Sequence, residues 1–350
     1  VSERLQQAAL RPKGRRALAA AAVNIVVIAA LVAIPLFFEP FRVTQFTQIL
    51  VVALAVMGLN LLTGFTGQIS VGHSAFFGFG AYSVGVIMAS TDAPMPVALA
   101  VGTAVGALAG AVIGLPSLRI KDTSLAIVTL VFGASFPALV NLFSSVTGGT
   151  QGLRVERITP ADGAPFAADQ TRYYVVLAAV LVVAGCVLLL DRSRTGRELR
   201  ALGDNEIAAV TFGVNAPRLR IGVFTASAAI TALAGGLFAV TNGFISSGTS
   251  FVTILGSIEF LTALVIGGRA ILLGPLLGAA IAQLLPAQLG QESPELAHLV
   301  YGLVLIVILL LAPGGITGLR PTTWLPRRHP SPLPPSSAPP AAPPTKGSTA

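Results

Sequence analysis

The chain holds three lysines, and none can serve a phosphate-binding loop. Such a loop sets its lysine after a glycine and directly before Ser or Thr, whereas Lys13, Lys121 and Lys346 are followed by Gly14, Asp122 and Gly347. Zinc chemistry is equally poorly served. His73, His298 and His329 are scattered, and neither a His-Glu-x-x-His run nor a cysteine pair exists. An intramembrane enzyme would also need a nucleophile–base or metal constellation that this sequence does not supply. What is left for chemistry is three polar groups in an apolar chain.

The first is Glu259, eight residues into an apolar run that begins near Phe251. At 1.5 Å per residue that is about 12 Å along a helix. A charge near the bilayer centre costs roughly 2.5–3.5 kcal/mol on insertion scales, so intramembrane ionisable residues are usually functional. Glu259 is a candidate for the translocation path or a conformational latch. The structural alternative is a carboxylate bonded to hydroxyls of a neighbouring helix or reaching out to water. Arg269, ten residues on, is too far along one straight helix to pair with it.

The second is Gly58-Leu-Asn60-Leu-Leu-Thr63-Gly64-Phe-Thr66-Gly67-Gln68-Ile-Ser70-Val-Gly72-His73, where amides and hydroxyls alternate with glycines at the end of an apolar run. A broken helix leaves backbone groups unpaired, which is tolerable at membrane depth only against protein or a water-filled path. Asn60, Thr63, Gly67, Gln68, Ser70 and His73 are therefore candidate path or gate residues. A plain helix-breaking turn at the membrane surface is the competing reading.

The third, Arg192 to Arg220, holds six arginines and, with Asp191, four carboxylates. It carries a short helix signal of its own. Asp204 is placed to cap Glu206-Ile-Ala-Ala-Val-Thr-Phe, Gly213 falls where a left-handed C-terminal cap would sit, and Pro217 ends the segment. A small helix held between two membrane spans is suited to docking against a soluble partner.

These groups must be positioned by membrane spans. Hydrophobic residues make up 54% of the 350 and charged residues 10%, far below the quarter typical of soluble domains. The net charge of +8 does not imply nucleic acid, because the cations lie in short loops beside apolar runs, as the positive-inside rule requires. Cys186 lies within such a run and is expected to pack.

Ten runs approach spanning length: 17–38, 43–63, 73–90, 97–118, 123–143, 172–190, 221–241, 251–268, 271–289 and 298–312. The first is longer than a signal-peptide core and is expected to be an uncleaved span behind the basic segment 1–16. With both termini in the cytoplasm, 18 of the 22 Lys and Arg fall inside, and only Arg42, Arg154, Arg157 and Arg172 fall outside. An eight-span version, with 64–90 partly re-entrant, is the alternative. Gly102, Gly106, Gly110 and Gly114 mark one face of a helix that should be buried in the bundle. From Pro321 onward ten of 30 residues are proline, which predicts a disordered cytoplasmic tail. The predicted fold class is thus an all-α, polytopic membrane protein with a permease domain over 17–320.

Four blocks in order, GLNLLTGFTGQISVGHSAFFGFGAY, GRELRALGDNEIAAVTFGVN, SIEFLTALVIGGRAILLGPLLGA and YGLVLIVILLLAPGGITGL, resemble the M-type permease subunit of the ATP-driven branched-chain amino acid importers. The resemblance runs from about Ala53 to Leu319. It implies a bacterial inner-membrane importer with a homologous H-type permease, two cytoplasmic ATP-binding subunits and an extracytoplasmic solute-binding protein. ATP and Mg would be bound by those ATPases and no cofactor by this chain.

The resemblance turns the 191–220 segment into the ATPase-coupling loop, with Arg197, Asp204, Glu206, Ala208, Ala209 and Gly213 as its residues. Many importer permeases carry Glu-Ala-Ala, three residues, then Gly. Here Ala208-Ala209 and Gly213 match, Glu206 is displaced by Ile207, and Val214-Asn215-Ala216-Pro217 replaces the usual Ile-x-Leu-Pro. Urea or short amides are alternative solutes among such permeases. An ion-coupled secondary transporter is the alternative of another class, and would call for more buried carboxylates than Glu259. Phe76, Phe77 and Phe79 suit aliphatic solutes or plain packing equally.

Overall fold

The computed structural model describes residues 13–116, 122–160, 166–268 and 271–289, with isolated positions between 302 and 316. The first half holds α1 (Lys13–Phe37), α2 (Pro40–Thr66), α3 (His73–Ser90), α4 (Met95–Gly114), α5 (Asp122–Leu142), the single turn α6 (Ser144–Thr147) and strand β1 (Leu153–Arg154). The second holds α7 (Ala168–Arg192), α8 (Arg194–Asp204), α9 (Glu206–Thr211), α10 (Ala216–Asn242), strand β2 (Phe244–Ile245), a 3-10 turn at Ser250–Val252, α11 (Ile254–Gly267) and α12 (Leu273–Leu289).

Five of these, α2, α4, α5, α7 and α10, are long and apolar enough to cross a membrane, and 22–37, 254–267 and 273–285 form shorter apolar helices. The protein is a helical membrane protein. Its only strands among the described residues are β1 and β2, which pair antiparallel with Leu153 opposite Ile245. The expected tenth span, 298–312, lies largely outside the described residues. The basic segment 1–12, the turn Arg119–Lys121, Arg269 and the proline-rich tail lie wholly outside them.

α2 runs through the centre. It is apolar all round, the pattern of a helix surrounded by others, and it is buried along most of its length. α10, α7 and α12 pack around it. In lipid this arrangement is held by close packing rather than by escape from water, and glycine makes the closeness possible. Gly106 and Gly110 of α4 sit against Ala232 and Ala228 of α10, where a Cβ would collide. The stripe Gly102, Gly106, Gly110, Gly114 is buried as expected. The opposite face of α4 is not: Val97, Val101, Leu108 and Val112 are exposed. The small-residue face meets two helices, α10 at Gly106 and Gly110 and α3 at Gly102, and the opposite face is left open, so α4 is peripheral instead of enclosed.

Phe76 and Phe77 have no exposed surface and pack into an aromatic cluster with Phe132, Phe224, Phe238 and Phe260. Packing therefore accounts for both, and half-buried Phe79 stacks on Phe132. Cys186 faces outward from α7, contrary to the expectation that it packs, because the buried stripe of that helix runs through Val183, Ala184 and Val187.

Candidate functional site

The polar segment after α7 folds into two helices where one was expected. Ser193 caps α8, its hydroxyl accepting from Gly196 N at 3.1 Å. Gly196, Leu199 and Leu202 are buried, while Arg197 is exposed and its Nη1 donates to the Arg192 carbonyl at 3.0 Å. α8 continues through Asp204, so Asp204 cannot be an N-cap. Asn205 takes that role in extended backbone (φ −158°, ψ 103°), its Oδ1 accepting from Ala208 N at 3.0 Å. The one-residue shift has a simple cause: a capping residue must leave the helix, and Asp204 still belongs to α8.

α9 closes as the sequence predicts. Gly213 is left-handed at φ +85°. Its N–H reaches Val210 O at 2.9 Å and Val214 N–H reaches Ala209 O at 3.1 Å, the bond pair of a Schellman cap. Asn215 then caps α10 through Arg218 N at 3.2 Å, and Pro217, expected to end the segment, opens the first turn of α10. Glu206 Oε2 accepts from Arg220 at 2.7 Å, and Asp191 is paired with Arg200. Ala208 is exposed, but Ala209 is buried with Leu202 and Ala216. The outward face of α9 and its cap is instead Ile207, Val210 and Phe212, with Phe212 88% exposed. Sequence reading missed these three, although apolar residues on an otherwise polar segment were a visible signal.

α8 is seated on the end of α2. Gly203 lies against the Phe65 carbonyl and Thr66 backbone, and the Arg200 guanidinium stands 5.6 Å from the Phe65 ring centroid. α2 runs to Thr66 and stops at Gly67, whose φ of +74° makes a left-handed cap with its N–H on Thr63 O at 3.1 Å. The break 67–72 follows directly.

Two backbone donors in and beside this break are met by side chains of other helices. Thr129 of α5 accepts from Val71 N at 3.1 Å, and Ser257 of α11 accepts from Ser74 N at 2.9 Å. Thr63 Oγ1 donates to Gln68 O at 2.9 Å. His73 is fully buried. Its Nδ1 meets Ser70 Oγ and its Nε2 meets Ser227 Oγ of α10, both at 2.8 Å. Ser227 spends its one proton on the Gly58 carbonyl at 2.6 Å, so Nε2 must carry a hydrogen and donate to Ser227. Asn60, Thr63, Gly67, Gln68, Ser70 and His73 are thus brought together, with Thr129, Ser227 and Ser257 added by three other helices. Asn60 Oδ1 and both amide atoms of Gln68 are buried without a hydrogen-bond partner among the described residues.

Glu259 does not join this cluster. It sits five residues past the start of α11, about 8 Å along the axis, shallower than expected because the helix begins at Ile254 instead of Phe251. Its half-buried carboxylate accepts from Gln283 Nε2 of α12, so the neighbouring-helix partner is an amide and not a hydroxyl.

The site thus joins a short capped helix with an outward apolar face to the end of an interrupted apolar helix. The family model described as branched-chain amino acid transport system / permease component matches residues 41–309. The chain belongs to that family. The permease is 28% identical over 293 residues to the high-affinity branched-chain amino acid transport system permease protein LivM of Salmonella typhimurium, covering 77% of this chain and 68% of that protein. It is 28% identical over 283 residues to the protein of the same name from Escherichia coli, covering 74% and 66%. The fructose import permease protein FrcC of Rhizobium meliloti is 29% identical over 286 residues, 77% of each chain. No solved structure gives a significant match. Membership decides between a permease component and an ion-coupled carrier or enzyme: the chain is a permease component, not an ATPase.

Proposed function

We propose that this chain is the M-type permease subunit of an ATP-driven importer of branched-chain amino acids, standing in a bacterial inner membrane with ten spans and both termini in the cytoplasm. It pairs with a homologous H-type permease, receives solute from an extracytoplasmic binding protein and docks one of two cytoplasmic ATPases, which hold the ATP and Mg. The carrying observation is the capped helix α9 with Ile207, Val210 and Phe212 presented outward. An apolar face on a polar, arginine-rich segment is unfavourable in water and suits a groove on a soluble subunit. The branched-chain assignment draws on the names of the two LivM relatives.

Movement at α9 has two routes to the break. One passes through α8 to the end of α2 at Phe65 and Thr66. The other passes through the Asn215 cap into α10, which carries Ser227 to His73. Closure of an ATPase pair would travel along both as rigid-body displacement. Gln68 and Asn60 support placing the gate here, since buried polar atoms without partners cost about 1–3 kcal/mol each and suit a segment that rearranges. Arg197 and Glu206 flank the docking face, and Glu259 lies by the path on α11.

Replacing 204–213 with a flexible linker of equal length should abolish co-purification of the ATPase while membrane insertion persists. Retained association would remove the docking assignment.

A further inference from the structure

α1 and α7 run antiparallel and are fastened by side chains where the end of α1 meets the start of α7. Pro35 has no N–H, so the Leu31 carbonyl one turn earlier lacks its helical donor; Tyr173 OH supplies one at 2.8 Å. Tyr174 OH donates to Val32 O at 3.1 Å and Gln170 Nε2 to Pro35 O at 2.9 Å. Toward the other end the helices part around a cavity of about 720 Å³ between α1, α7 and the start of α12. Among the described residues its lining is apolar apart from Asn24. Rim residues Val23 and Leu188 are exposed, so it opens at the protein surface.

On α7 the lining residues Leu181, Ala184, Gly185 and Leu188 form one stripe, spaced for a single helical face. The stripe continues, one turn past Leu188, to Arg192, which is exposed and makes no ion pair among the described residues. The adjacent Asp191 is occupied by Arg200. The same end of α1 begins Lys13-Gly14-Arg15-Arg16. An occupant must be apolar along the cavity and anionic at its mouth.

We propose that this cavity holds an acyl chain of an anionic phospholipid, with the phosphate at Arg192. The apolar void in a membrane-embedded surface excludes a polar solute, and the basic mouth selects the headgroup. The proposal depends only on the chain lying in a bilayer, so it stands or falls separately from the transport reading.

The test is native mass spectrometry of the full chain, purified in mild detergent with whatever subunits accompany it, after addition of equimolar phosphatidylglycerol and phosphatidylcholine of matched chain length. Wild type should retain phosphatidylglycerol with a preference of about fivefold, the order expected for one basic residue at a lipid surface. A Cβ at Gly185, which lines the cavity, meets nothing within 4 Å, so Gly185→Leu should occupy the cavity and lose the bound lipid, whereas Gly185→Ala should keep it. Arg192→Gln should keep a lipid and lose the headgroup preference. Undiminished phosphatidylglycerol on Gly185→Leu, an unchanged preference in Arg192→Gln, or no lipid on wild type would each overturn the assignment.

Discussion

Ser227 is the residue on which the break most depends. It donates to the Gly58 carbonyl and accepts from His73 Nε2, so one hydroxyl ties α2, α3 and α10 together. Ser227→Ala leaves His73 Nε2 buried and unpaired, while the Gly58 carbonyl keeps its helical donor within α2, with an expected loss of about 1–3 kcal/mol. A lower melting temperature of the detergent-solubilised chain is the measurement, and Ser227→Thr, which keeps the hydroxyl, should recover part of it. An unchanged melting temperature in Ser227→Ala would show that the bond chain is not holding the segment. The same scale explains why Asn205 and not Asp204 caps α9: both have suitable side chains, and only the backbone of Asn205 has left the helix.

Among the elements, the α4–α10 contact is the most sensitive to size. Gly106 meets Ala232 where a Cβ would stand, with Ala228 O 3.3 Å away. Gly106→Leu should cost about 1–3 kcal/mol or more through overpacking and lower the yield of folded chain in the membrane. Gly222, also in α10, has open space where a methyl group would stand, with nothing within 4 Å; Gly222→Ala should be neutral or gain up to about 1 kcal/mol from helix propensity. Equal yields for the two variants would deny the contact. The short helices work by the same economy of contact: α8 buries Gly196, Leu199 and Leu202, which braces α9 without covering its apolar face.

At the scale of the whole molecule, the bilayer decides what exposure means. Cys186 is the chain's single cysteine and is exposed on α7, so in a membrane it should face lipid. It should react with a membrane-permeant maleimide and resist an impermeant one from either side. In a Cys186→Ala background, Phe212→Cys should label with the impermeant reagent in inside-out vesicles stripped of the ATPase and not in intact cells. Labelling in intact cells would reverse the proposed orientation and remove α9 from the ATPases.

The sequence by itself determined the membrane class, the approximate positions of the described apolar helices, the left-handed cap at Gly213 and the polar character of both the 191–220 segment and the break. These follow from local composition, because hydropathy, glycine conformation and capping act over one or two turns. The small-residue stripe of α4 was legible for the same reason, but its number of neighbours was not. Only the tertiary structure decided which hydroxyls serve the break, since Thr129, Ser227 and Ser257 come from helices far away in the chain and look ordinary in their own runs. It also decided that Ala209 turns inward while Ile207 and Phe212 turn outward, because a helix of six residues is too short for a pattern to reveal its buried side. The partner of Glu259 could not be read at all: Gln283 lies on the next helix, and the hairpin between α11 and α12 sets which residues meet.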